Sequence, residues 1–229
     1  MELDDQALRR MLVHKMMLSD WNNTRFNLTT ISGDRETALK HFLDSLAASL
    51  AVKFDKQRVI DIGTGAGFPG VPLKIAFPSI NLTLLDSKEK KAAFVTMLLR
   101  RLEFDSEVRI IVARGEDIGK DSEFRGMFDV STMRGVSKIP INAEIGLPLV
   151  KIGGKVILWK GKKDVDKLNK YEEFIDKLGG RVSKVIPYNL GDIPGERYLL
   201  VLEKVRETPS KYPRRYSTMR KALRKQWNE

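Results

Sequence analysis

The segment VIDIGTGAGFPG, residues 59–70, constrains this chain more than any other. A short apolar run ends in a carboxylate, Asp61, and passes into three glycines at alternate positions, Gly63, Gly65 and Gly67. Glycines placed this way let the backbone turn sharply and approach a ligand with no Cβ in between. Pro69 suits the first turn of a following helix, where its missing N–H costs little. The pattern is strand, turn, helix. It repeats downstream: strands are expected at 58–62, 80–86, 107–113, 127–133, 154–160, 181–188 and 197–204, and helices at 69–77, 88–103, 140–150 and 164–178. Alternating strands and helices imply an α/β fold with a mainly parallel, doubly wound sheet. The last two strands are separated only by PYNLGDIPGE and are expected to pair antiparallel at the sheet edge.

Ahead of this unit, apolar residues recur at helical intervals over residues 5–19 (Leu8, Met11, Leu12, Met16) and Thr37–Val52 (Leu39, Phe42, Leu43, Leu46, Leu50). His41 in the second helix reads as a packed or capping residue. Three parts follow: an N-terminal helical extension (1–57), the α/β domain (58–205) and a basic C-terminal tail (206–229). The net charge of +11 is uneven, because the last 26 residues hold nine basic and two acidic side chains. KYPRRYSTMRKALRKQ is therefore a candidate phosphate-binding element, set against a solvated basic end that aids solubility. Its first half is expected to be extended by Pro209 and Pro213, and its second half helical with Ser217 as a possible cap.

Composition excludes several chemistries. The absence of cysteine removes disulfides, thiolate metal sites and a cysteine nucleophile for methylating pyrimidine carbons. With two histidines, His14 and His41, no metal site is expected. Without an apolar signal core or a run long enough to span a membrane, a cytoplasmic protein is expected.

Gly65-Ala-Gly67-Phe-Pro-Gly70 satisfies the G-x-G-x-x-G pattern of dinucleotide sites, so the loop alone does not settle the cofactor. Asp61, two residues before the first glycine, would oppose a pyrophosphate but suits the methionine part of S-adenosylmethionine. Asp86 closes the next strand about 20 residues on, where a carboxylate can accept both ribose hydroxyls. Gly115 and Glu116 in ARGED are candidates for holding the adenine, with Glu116 otherwise a helix-start carboxylate. Arg134, Lys160 and Arg197 fall at strand ends, Arg114 beside them, and four cations there suit an anionic or carbonyl-rich substrate such as guanine in RNA. No Asn/Asp-Pro-Pro-aromatic tetrapeptide for exocyclic amines is present. Guanine N7 has a lone pair and no proton to lose, so its methylation needs alignment and water exclusion rather than a base.

The motifs WNNTRFNLTTI, KHFLDSL, VIDIGTGAGFPGVPLKI, LLDSKEKKAAF, the RG-E of ARGED, Arg134, LWKGK, GERYLLVLEK and TPSKYPRR, from Trp21 to Arg215, together resemble the bacterial glucose-inhibited division protein B family. That resemblance implies a Rossmann-like methyltransferase sheet with N-terminal helices, S-adenosylmethionine as cofactor, and methylation of a guanine N7 in 16S ribosomal RNA. It implies cofactor contacts at Gly63, Phe68, Gly115, Glu116 and Arg134, ribose binding at Asp86, and a basic substrate cleft at Arg114, Lys160 and Arg197. The expected partner is 16S RNA or a small-subunit precursor, approached by a monomer. Departures are Gly135 after Arg134, where many members have Ala, and a longer basic tail. A nicotinamide oxidoreductase and an RNA-binding protein with an unused loop remain the alternatives.

Overall fold

A computed structural model describes residues 3–31 and 33–227. Met1, Glu2 and Ser32 of the expected extension and Asn228 and Glu229 of the expected tail lie outside the described residues. Seven strands form one sheet: β1 (Arg58–Ile62), β2 (Asn81–Asp86), β3 (Arg109–Val112), β4 (Phe128–Arg134), β5 (Val150–Gly161), β6 (Gly180–Leu190) and β7 (Ile193–Lys204). Their order is β3-β2-β1-β4-β5-β7-β6. The first five are parallel, and β7 runs antiparallel to both β5 and β6. The last two strands absorb most of PYNLGDIPGE, so the loop left between the expected strands, residues 189–196, is a tight hairpin turn at Gly191-Asp192.

The helices are α1 (Asp5–Thr24), α2 (Asp34–Thr37), α3 (Asp44–Leu46), α4 (Gly70–Ala76), α5 (Glu89–Arg101), α6 (Gly115–Ile118), α7 (Ile139–Leu149), α8 (Lys162–Val165), α9 (Glu172–Lys177) and α10 (Tyr216–Trp227). A π-helical stretch, Ala38–Leu43, joins α2 to α3, and a 3₁₀ turn, Ala47–Leu50, ends that run. The helix expected over 164–178 is instead broken into α8, a 3₁₀ turn at Leu168–Tyr171 and α9.

Burial on both faces of the sheet explains the continuous apolar strands. Val59, Leu82, Leu84, Val130, Ile157, Leu199 and Val201 face one core, completed by Met11, Leu18, Trp21, Phe42 and Leu46 from the N-terminal helices and by Phe94, Val95 and Leu98 from α5. Their strand neighbours Ile60, Leu85, Met133, Val156, Leu158, Leu200 and Leu202 face a second core. The N-terminal helices thus form one layer of the domain.

The tail belongs to the second core. Met219 and Leu223 of α10 and Tyr212 before it are buried there. Arg125 gathers the preceding segment by donating to the carbonyls of Thr208 (2.5 Å), Tyr212 (2.9 Å) and Gly119 (2.7 Å). Arg214 makes a two-pronged bond to Glu144 of α7, Nε to Oε1 at 2.9 Å and Nη2 to Oε2 at 2.7 Å. Ser217 lies inside the first turn of α10, which starts two residues earlier than a Ser217 cap requires. Residues 206–227 are docked against the α/β domain rather than standing off as a solvated basic end.

Glu144 is 1% exposed. Arg214→Ala should therefore cost about 3 kcal/mol of unfolding free energy, the penalty for leaving one half of a buried pair uncompensated. Urea unfolding of both proteins measures it, and an unchanged midpoint would show that the tail docks through its apolar contacts alone.

Candidate active site

Strand order reverses at β1, whose neighbours are β2 and β4. Open α/β sheets bind ligands at such a point, beyond the carboxyl ends of the strands. A hollow of about 330 Å³ lies there, lined by Gly63, Asp86, Lys91, Arg114, Gly115, Glu116, Gly135, Val136 and Tyr216, among others. Its size is at the lower end of the usual range for ligand sites.

Two carboxylates shape the rim in different ways. Asp61 is fully buried beneath the glycine loop, where one oxygen accepts from the Gly70 N–H at 3.0 Å and the other from Thr132 Oγ1 at 2.9 Å. Burial pushes its pKa up to about 6, against the pull of those hydrogen bonds. Asp86 stands at the hollow: Oδ2 accepts from the Gly65 N–H at 2.9 Å and Oδ1 from the Lys88 N–H at 2.9 Å. Each oxygen keeps a lone pair for a further donor. Gly63 has φ +71°, and a Cβ there would sit 2.8 Å from Val136 Cγ2. The loop thus lies too close to the β4 end for any side chain.

Among the expected cofactor contacts, Gly63, Asp86, Gly115 and Glu116 line this hollow. Asp61, Gly65, Gly67, Phe68 and Arg134 do not. Asp61 is spent on holding the loop to α4 and β4. Gly65 and Gly67 both have positive φ and shape the turn. Phe68 is buried, its ring stacked between His14 (centroids 4.5 Å) and His41 (4.4 Å).

A second hollow of about 330 Å³ collects Asp44, Arg134, Trp159, Lys160, Tyr188 and Arg197. Residues 134–136 separate the two, because Arg134 borders this one while Gly135 and Val136 border the first. Three of the four expected cations meet here; the fourth, Arg114, lines the first hollow instead. Asp44 is the centre of the cluster. Its carboxylate lies 2.8 Å from Arg134 Nη1 and 3.8 Å from Arg197 Nη1, and accepts from the Tyr188 hydroxyl at 2.6 Å. Trp159 Nε1 donates to its backbone carbonyl at 2.7 Å. Lys160 donates to Ser137 O at 2.6 Å, and burial lowers its pKa to about 8.

Sequence reasoning missed Asp44, Tyr188 and Tyr216. Asp44 stands inside KHFLDSL, where an acid surrounded by apolar helix positions was the available signal. Tyr216 gave none, since its place depends on how the tail docks. Arg134 also has more partners than its strand-end position suggested. It donates to Lys40 O at 2.8 Å and to His41 at 3.0 Å, so Arg134→Ala would loosen the N-terminal helices as well as the cleft.

The histidines are fixed as neutral. A guanidinium only donates, so His41 Nδ1 accepts from Arg134 and Nε2–H donates to Thr29 Oγ1 at 3.0 Å. His14 Nε2–H donates to Ala66 O at 2.8 Å, and its Nδ1 is buried without a partner. Burial lowers His14 to about 4 and His41 to about 3, from 6.5. Between pH 6.5 and 4 the unfolded chain binds protons at these rings that the folded chain refuses, so stability falls on acidification. Asp61, held near 6 from 3.8, acts in the opposite sense over most of that interval but is one group against two. The urea midpoint should drop between pH 7 and pH 5, and His14→Phe should shrink the drop. An equal drop in the variant would show that His14 is not its source.

Comparison with known proteins agrees with this geometry. Residues 8–191 match the family model described as GidB, rRNA small subunit methyltransferase G. The Ribosomal RNA small subunit methyltransferase G of Acetivibrio thermocellus is 38% identical over 93% of this chain and 87% of its own length. The protein of the same name from Staphylococcus saprophyticus is 39% identical over 96% and 92%. Among solved structures, P. horikoshii TYW2 in complex with MeSAdo has a TM-score of 0.56 at 12% identity, covering 76% of this chain and 64% of that one. M. jannaschii TYW2 in complex with AdoMet has a TM-score of 0.51 at 15% identity, covering 72% and 76%. At those identities the structures share the fold alone, whereas the family match spans most of the sequence, including β1 to β6. The chain belongs to the GidB family, the rRNA small subunit methyltransferases G.

Proposed function

We propose that this protein transfers a methyl group from S-adenosylmethionine to the N7 of a guanine in 16S ribosomal RNA. The observation that carries the reading is the pair of adjoining hollows at the sheet's reversal point, one with a glycine wall and the Asp86 carboxylate, the other with a cation cluster. The residues present fit the cofactor. Asp86 has lone pairs for ribose hydroxyls, Gly63 leaves room where a Cβ would not fit, and Glu116 has no ion pair or hydrogen bond among the described residues. Asp86, Gly63, Gly115 and Glu116 would hold it, while Asp61, Gly65, Gly67 and Phe68 would support the loop from below.

Bound there, S-adenosylmethionine supplies an electrophilic sulfonium methyl. On the substrate side the protein's own groups bind and orient. Arg134, Lys160 and Arg197 offer donors to guanine O6 and to phosphates, Arg114 does so from the cofactor side, and Asp44 holds the two arginines in fixed directions. Guanine N7 needs no base, and the purine gains a positive charge that the carboxylates at the site offset. In this reading residues 58–205 are the catalytic domain, with 1–57 and 206–229 as its two added layers. A cytoplasmic monomer acting on the small subunit or its precursor completes it. Among the described residues no helix is long and apolar enough to cross a membrane.

Two measurements test the reading. Asp86→Ala should weaken S-adenosylmethionine binding by about 1.5–3 kcal/mol in calorimetry, the range for lost hydrogen bonds to a charged group; unchanged affinity removes Asp86 from the site. Mass mapping of 16S RNA incubated with enzyme and cofactor should place new 7-methylguanosine in that RNA. Transfer to another atom, or none to naked RNA and small subunits alike, would overturn the assignment.

A further inference from the structure

The outer face of α10 lines neither hollow, yet it is strongly basic. Lys211, Arg215, Arg220, Lys221, Arg224 and Lys225 are exposed, and residues 208–227 contain no acid. None of the six forms an ion pair among the described residues, whereas the neighbouring Arg214 is spent on Glu144. The helix is amphipathic: Met219 and Leu223 are buried, while Arg220, Lys221, Arg224 and Lys225 recur at intervals of three and four on the opposite side. Docking by Arg214, Arg125 and the apolar face holds these cations as a fixed row. Four unpaired charges along α10, with Lys211 and Arg215 just before it, repel each other, and an ordered polyanion relieves that repulsion by displacing counterions.

The row also has an address. Tyr216, in the first turn of α10, lines the hollow that holds Asp86, and Arg220 lies four residues on, about 6 Å along the helix. A phosphate backbone lying on α10 therefore runs past the mouth of the cofactor hollow. We propose that the exposed basic face of α10 is a docking surface for the phosphate backbone of the substrate RNA, built beside the cofactor hollow through Tyr216. This deepens the functional reading above and rests on it for the identity of the RNA.

The test compares three full-length proteins. One is wild type and one carries Arg220→Gln, Lys221→Gln, Arg224→Gln and Lys225→Gln, which keep helix propensity. The third is a charge-matched control with Arg9→Gln, Lys53→Gln, Arg101→Gln and Lys184→Gln, all exposed and outside α10. Binding to a 16S RNA fragment is measured across a salt series, with S-adenosylmethionine affinity measured in parallel. The α10 variant should bind RNA at least about tenfold more weakly and lose about 3 units of salt slope, at close to one unit per phosphate contact. Its cofactor affinity should stay at the wild-type value. The control should keep most of the slope. Equal slopes in the α10 variant and wild type overturn the proposal, as does an equal loss in the control, which would mean that net charge alone is read. A further arm uses vesicles containing phosphatidylglycerol; if the α10 variant loses affinity for these while retaining it for RNA, the surface serves a membrane and the proposal fails. Should wild type place no methyl on small-subunit RNA, the catalytic assignment falls, while the binding arms still decide what α10 docks.

Discussion

The site depends on a carboxylate buried beneath the glycine loop. Asp61 joins the β1 end, the N-terminus of α4 through Gly70 and the neighbouring strand β4 through Thr132. These contacts bring the glycine loop under the reversal point and hold β1 against β4 there. A charge in that position is costly, which is why burial raises its pKa to about 6. The hydrogen bonds offset the cost only if the loop keeps one geometry, so the expense of burial is also what makes the loop specific. Gly70 shows the tolerance: a Cβ there would lie 2.4 Å from Leu84 and 2.9 Å from the Asp61 carboxylate.

From that anchor the two hollows follow. Gly65 reaches across to Asp86, Gly63 lies against Val136, and Val136 and Gly135 continue from Arg134. Arg134 then reaches the N-terminal helices, where Asp44, His41 and the Lys40 carbonyl receive it. The π-helical stretch that contains Lys40 and His41 sits at this contact, a common place for such widened turns. Arg134 is thus connected to α1 through the stack of His14, Phe68 and His41.

Most of the sheet was legible because short, continuous apolar runs bounded by turn residues and alternating with helical segments have few other solutions. The glycine loop, Asp86 and the edge hairpin followed from local chemistry. Element ends were less so: β7 starts at Ile193, where Pro194 and Gly195 suggested a loop. The site was legible in its parts but not in its grouping. Arg114 and Arg134 read alike at strand ends, yet the backbone turn at Gly135, with φ +69°, sends consecutive residues to different hollows. Asp44 became visible only once the N-terminal helices were packed, since its partners come from β4, β5, β6 and β7. Asp61 was legible by its position beside the glycines, but its bonds to Gly70 and Thr132 were not, since they depend on how β1, β4 and α4 pack.

Tyr216 carries a consequence for how the protein comes into being. A chain emerging from the ribosome in order builds the glycine loop early and β4 midway, but the wall formed by Tyr216 is added only after all seven strands have been made. A nascent or prematurely terminated chain would therefore own every strand of the sheet while its cofactor hollow stood open on one side. Synthesis itself thus delays completion of the hollow's wall until α10 has been made.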